Sequence, residues 1–273
     1  MKTIILTEKD FKDNVYCGKQ DLTNIQGNLK IEKTGYCRFE GDISAEGGIS
    51  AEGGIFAKGD IFAKGYIFAK GYISAEGGIS AEGGISAKGD ISAEGYISAK
   101  GGIFSEGYIS AEGDISAEGN ISAKGGISAE GDIFAKGYIS AKGYISAKGD
   151  IFAKGYISAE GGISAEGGIS AEGDISAEGG ISAKGGMLKS LYGITAGLRI
   201  YAKTTIEAGM RIFAGIAPWS WVGNEHKEIK CGKLLKGTIA YGTLIETGLE
   251  EVSLSGKEVE VKLGGKTYKA IIK

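Results

Sequence analysis

The reactive side chains of this chain are few in kind: one histidine, three cysteines, and ranks of serine, tyrosine, glutamate and lysine that recur at a fixed spacing. A nucleophilic serine needs a base within hydrogen-bond reach and a third group to orient that base. Serine stands at the same place in repeat after repeat, whereas the single histidine, His226, lies outside them between Glu225 and Lys227. No serine is singled out for activation, so no catalytic residue and no enzymatic activity are expected. His226 could ligate or titrate, yet a lone histidine without partners is more often structural, and it is read so. Cys17, Cys37 and Cys231 lack CxxC or any other ligand spacing, which predicts free, mostly buried thiols, no metal site and no cofactor. What the residue types do offer is surface for binding.

The elements that must position that surface are plain. Residues 41–186 hold twenty-four consecutive hexads of the form Gly-x-Ile-Ser/Phe-Ala-Glu/Lys, in which Ile never varies and Ala gives way once, to Ser105. Strand alternation puts Ile and Ala on one face and x and Ser/Phe on the other, leaving Glu/Lys-Gly to bend the chain. Glycine suits the bend because it accepts φ > 0 and lets backbones approach closely. Each hexad is then one side and one corner. Three sides close a triangular coil of about 18 residues, and stacked coils bury a continuous isoleucine core. The predicted fold class is all-β, a single-stranded parallel β-helix, with eight perfect coils spanning roughly 38 Å. Fifty glycines against one proline exclude collagen.

With interior and corners accounted for, variation is confined to x, Ser/Phe and Glu/Lys. Residues one coil apart should be neighbours, and one series reads Glu46, Lys64, Glu82, Lys100, Glu118, Lys136, Lys154, Glu172. Six of its seven neighbouring pairs are opposite in sign. Another side breaks this rule. It stacks Glu76, Glu94, Glu112 and Glu130, with Tyr72, Tyr108 and Tyr144 on alternate rungs and Asp90 between them. Like charges on adjacent rungs oppose folding, so this acidic, aromatic side is the candidate partner-binding face. A weaker candidate is the side with Asp114, Asp132 and Asp150 beside Phe134 and Phe152, which Lys136 and Lys154 screen. Ice binding is disfavoured, because the serine column is interrupted by Phe56, Phe62, Phe68, Phe104, Phe134 and Phe152.

The ends read as caps. In residues 1–30 Thr7-Glu8-Lys9-Asp10 resembles a capping box, and Leu29-Lys30-Ile31 an entering strand. The solenoid is assigned to 31–217, perfect over 41–186 and degenerate over 187–217. There Met187 takes the Ile position, a one-residue insertion follows, and Ile194, Ile200, Ile206 and Ile212 resume the beat. Pro218, Trp219, Ser220 and Trp221 break it. The segment 218–273 reads as a β-rich module, with Glu258 to Leu263 turned at Gly264-Gly265. The repeats carry 20 acids and 11 lysines, net −9; residues 1–40 carry seven basic and six acidic side chains, net +1; residues 187–273 carry thirteen and eight, net +5. An acidic rod disfavours direct binding of nucleic acid. No apolar run has the length of a secretory signal or a membrane span.

The hexad period resembles that of hexapeptide acyltransferases, whose chains form triangular β-helices. In that family, however, a small residue lies two positions before the aliphatic one, whereas here Ala follows Ile. Those enzymes also need a catalytic histidine, and γ-class carbonic anhydrases need three for zinc, which the repeats lack. The array and the segment Ile229-Lys230-Cys231-Gly232-Lys233, continuing to Lys236-Gly237, also resemble uncharacterised hexad-repeat proteins of bacteriophages and mobile elements. That resemblance implies a phage or mobile-element setting, in the cytoplasm of a bacterial host cell or in a virion, and brings no activity with it. The expectation is a non-enzymatic scaffold that binds a protein partner of basic character, with no small-molecule substrate and no membrane. The alternatives are an anti-defence inhibitor whose carboxylates mimic nucleic acid, and a self-associating polymer or virion component of the kind bactofilin-type β-helices form.

Overall fold

A computed structural model of the chain describes residues 2–216 and 228–247, together with the backbone of two further strands, Glu258–Leu263 and Lys266–Ile271. Pro218, Trp219, Ser220, Trp221 and His226 lie outside the described residues. The molecule is all-β, a parallel solenoid of about twelve coils. Almost every hexad contributes a three-residue strand, Ile-Ser-Ala or Ile-Phe-Ala, such as Ile73–Ala75. Each strand pairs in parallel with the strands one coil before and one coil after. Ile73, Ser74 and Ala75 face Ile91, Ser92 and Ala93, their equivalents three hexads further along the chain. Three sides per coil follow directly.

The interior is what alternation predicts. Repeat isoleucines are at most 1 % exposed and repeat alanines at most 5 %, so each Ile contributes about the full 1.5–3 kcal/mol of its burial. The corner glycines have a different reason from the expected one. Among the described glycines positive φ occurs at Gly35, Gly215, Gly237 and Gly242, none of them in a perfect repeat. The repeats need glycine because coils touch there. A Cβ on Gly65 would lie 2.7 Å from the Gly48 nitrogen and 2.9 Å from the Gly47 carbonyl carbon.

Two serines occupy interior alanine positions and show how a hydroxyl is accommodated. Ser105 Oγ donates to the Gly89 carbonyl at 2.7 Å and accepts from the Gly107 N–H at 2.9 Å. It inserts between two groups whose counterparts elsewhere bond directly, as Gly113 N–H does to Gly95 O at 3.0 Å. Ser190 does the same with the Gly173 carbonyl and the Tyr192 N–H. The insertion in the degenerate region is placed differently from the expectation: Leu188, not Met187, faces Ile169 and is fully buried, while Met187 is 45 % exposed. The extra residue is absorbed at the Gly185-Gly186 corner before the strand instead of after it.

At the N-terminal end the strand Lys2–Leu6 pairs with Gly27–Ile31, and Phe11, Tyr16 and Phe39 pack edge to face or tilted at 5.6–5.8 Å. These rings and buried Leu6 and Leu22 cover the first coil. Thr7 opens a short 3-10 helix, its N–H donating to Asp10 Oδ2 at 2.7 Å. Towards the C-terminus the strand Ile200–Ala214 runs unbroken around a whole coil, and Glu228–Tyr241 stacks on it through several register shifts. Thr243–Glu246 pairs with the latter, and Glu258–Leu263 forms an antiparallel pair with Lys266–Ile271. All three thiols are free; Cys17 is exposed. Burial pushes Cys37 and Cys231 up to about 11.

Candidate partner-binding face

The residues of the acidic, aromatic series all lie on one side of the prism, because Ile73, Ile91, Ile109, Ile127 and Ile145 are consecutive register partners. Tyr72, Asp90, Tyr108 and Tyr144 form one edge of that side. Glu76, Glu94, Glu112 and Glu130 form the other, and Ser74, Ser92, Ser110 and Ser128 the floor between. Glu76, Glu94, Glu112 and Glu130 line a shallow groove of about 330 Å³ that ends against Phe56. Tyr72, Tyr108 and Tyr144 are 36 %, 52 % and 50 % exposed.

Lysines decide which of these carboxylates is free. In most of the repeats where a lysine stands one coil after a glutamate it reaches back to it, as in Lys100–Glu82 at 3.1 Å, Lys124–Glu106 at 2.7 Å and Lys136–Glu118 at 2.8 Å, whereas Lys184 makes no ion pair with Glu166. Lys58, which lies one coil before Glu76, is bonded to Glu40 instead. Lys148 likewise holds Glu130, at 2.5 Å. Glu76, Glu94 and Glu112 have a glutamate, not a lysine, on the following coil. They make no ion pair among the described residues and form the longest such row in the repeats. Tyrosine at x leans the same way as lysine: a Cβ on Gly126 would stand 3.4 Å from the Tyr144 ring, and one on Gly54 would stand 3.0 Å from that of Tyr72.

Asp90 has a structural task as well. Its Oδ1 accepts the Tyr108 N–H at 2.8 Å, an N–H at the corner that the ladder leaves without a carbonyl. Every Asp or Asn at x in the perfect repeats does this for the next coil, including Asp114 to the Asp132 N–H, Asp132 to the Asp150 N–H and Asp150 to the Gly168 N–H. The side that carries Asp114, Asp132 and Asp150 is therefore largely internal in its bonding. Its aspartates cap corners, Lys136 binds Glu118, and Phe134 stacks on Phe152 at 5.2 Å.

Two residues outside the predicted set extend the acidic side toward the N-terminus. Tyr36 packs on Tyr72 at 5.9 Å between centroids and on Phe56 at 6.3 Å. Burial, with Tyr36 and Cys37 beside it, raises the Tyr72 hydroxyl above its ordinary value. The signal was present in the spacing, since Phe56 stands one coil before Ser74 and Tyr36 two coils before Tyr72. A larger trough of about 680 Å³ lies at the other end of the same side, between Tyr144 and Tyr201 over Gly162 and Gly180. Arg199, Glu228 and Lys230 border it, so its charge is mixed, unlike that of the acidic row. Among the described residues no three His, Cys, Asp or Glu side chains gather to hold a metal ion, and no helix is long and apolar enough to cross a membrane. No protein-family model, no curated protein and no solved structure matches the chain.

Proposed function

We propose that the protein is a non-enzymatic solenoid scaffold that docks a basic protein partner on the side carrying Tyr72, Glu76, Asp90, Glu94, Tyr108, Glu112, Glu130 and Tyr144, in a bacteriophage or mobile-element setting. One observation carries this reading. Glu76, Glu94 and Glu112 stand in an unbroken row without cations, while Glu46, Glu52, Glu82, Glu106 and Glu118 are each held by a lysine. A rod selected for stability alone gains by alternating the row, and an uncompensated one suits a cationic surface.

The experiment is capture of proteins from the native host by the full chain, by Glu94→Lys/Glu112→Lys, and by Glu160→Lys/Glu178→Lys as an equal charge change on another side. Loss of a salt-sensitive partner only with the first pair supports the face. Identical capture by all three removes it. The regular carboxylate row also supports the narrower reading of an anti-defence inhibitor that replaces nucleic acid. In that case the captured protein binds DNA or RNA, and nucleic acid displaces the rod.

A further inference from the structure

We infer that the groove over Ser74 is a seat for an arginine side chain of the partner, a reading that rests on the proposed docking face and specifies its chemistry. The molecule holds a precedent for such a seat. Arg38, Phe56 and Ser74 are consecutive members of one outward column, with Arg38 facing Phe56 and Phe56 facing Ser74 across parallel ladders. The Arg38 guanidinium lies 5.5 Å from the Phe56 ring centroid, and its Nε is 2.8 Å from Glu40, two residues on at the same corner. One coil beyond Phe56 the surroundings recur. Glu76 stands two residues after Ser74 as Glu40 does after Arg38, and Glu76 has no cation. The guanidinium is missing, replaced by the short Ser74 side chain, and where Lys58 follows Glu40 one coil later Glu94 follows Glu76, so Glu76 lacks both of the cations that Glu40 has.

The space above Ser74 is a cavity of about 420 Å³ walled by Tyr36, Phe56 and Tyr72, with Asp90 at its far side. Contacts of Tyr36 with both other rings hold the wall in place. A guanidinium fits this combination better than an ammonium. Its plane can lie on a ring while its N–H groups point in plane to a carboxylate, whereas a lysine head group is a hydrated point charge without a flat face. The side beyond Ser74 continues with Glu94 and Glu112, so the partner segment is one that presents arginine within a basic surface.

The probes are fluorescein-labelled tetra-arginine and tetra-lysine peptides, titrated against the full chain by fluorescence polarisation at one ionic strength. Tetra-arginine binds the wild type about fivefold or more tightly than tetra-lysine. Phe56→Ser, which installs the commonest residue of that column, abolishes the preference. Ser74→Arg, which copies Arg38, abolishes it too, while Ser164→Arg adds the same charge farther along the same side and preserves it. Thermal melts of the variants check that the rod is intact. Equal affinity for the two peptides, or a preference that survives both Phe56→Ser and Ser74→Arg, overturns the seat. In that event, weaker binding of both peptides by Glu94→Lys/Glu112→Lys leaves the acidic face standing, so the two failures are told apart.

Discussion

Two neighbouring glycines test why the repeat keeps one of them and varies the other. Gly65 opens its hexad, the position that is glycine in all twenty-four, and rests on the corner of the coil before. Gly48 sits at x, where seven Asp, seven Tyr and one Asn, fifteen of twenty-four residues, carry a Cβ. Neither has positive φ, so replacing either by alanine stabilises through the unfolded chain by the same amount, about 0.4–1 kcal/mol. The difference between the two variants is then steric. A Cβ on Gly48 meets the Tyr66 carbonyl oxygen at 3.2 Å, a tight contact that a small shift relieves. A Cβ on Gly65 meets three backbone atoms of Gly47 and Gly48 at 2.7–2.9 Å, and none of these can rotate away. Relief requires the coils to part where Lys64 N–H bonds to Ala45 at 3.0 Å and Gly65 N–H to Gly47 at 2.9 Å. Overpacking of this kind costs about 1–3 kcal/mol, and each stretched ladder bond forfeits part of about 0.5–1.5 kcal/mol. Gly65→Ala is therefore expected to be less stable than Gly48→Ala by about 2 kcal/mol or more. Urea midpoints with matched slopes measure the gap, and amide exchange at Lys64 and Gly65 locates it, since solenoids open locally. Equal midpoints and equal exchange for the two variants would refute the close-contact account of the invariant glycine.

Ser105→Ala tests the inserted hydroxyl. Removing it restores the residue of the other repeats and lets the Gly107 N–H bond directly to Gly89, so stability should change by less than about 0.5 kcal/mol; a loss near ~2 kcal/mol, the cost of an orphaned buried donor, would show that the ladder does not re-form. Acid titration tests the lysine pairs. The Lys124 hydrogen bond first, and its charge second, hold Glu106 below the ordinary carboxylate range, as Lys136 does for Glu118. A depressed folded-state value means that the pairs support the fold above the ordinary glutamate pKa and lose that support as pH falls through the folded one. Carboxylate NMR of Lys124→Ala should show Glu106 titrating at higher pH with Glu118 unmoved, and an unmoved Glu106 would mean that the pair does not persist in solution.

The interior was legible because it is redundant. Twenty-four isoleucines in one phase admit one alternation, and a period of six with three sides leaves three hexads as the coil. Where a single event had to be placed, the same logic was insufficient. Met187 and Leu188 are both apolar, and choosing between them depends on whether the Gly185-Gly186 corner or the strand takes up the extra residue. The corner chemistry was hidden for another reason. An aspartate at x reads as a surface residue, and its role as acceptor for the next coil depends on an N–H that lacks a ladder partner, which is a feature of the backbone alone. Arg38 lies outside the perfect array, so the hexad phase assigns it to no column, although it stands one coil before Phe56.

A repeat this regular also changes what counts as evidence of function. The invariant residues are explained by packing and contact, so they carry no information about partners. The charged column is informative because its local pattern is simple: a glutamate followed one coil later by a lysine is bonded to it, as Glu82 and Glu118 are, with Glu166 before Lys184 the exception, and one followed by a glutamate is left free, as Glu76 and Glu94 are. One substitution at a rung therefore sets the state of the rung before it as well as its own charge, with no demand on the core. Glu94→Lys would both remove a carboxylate and offer a cation to Glu76, which makes it the most economical single test of whether the free row matters. The surface can thus diverge one column at a time on an unchanged interior.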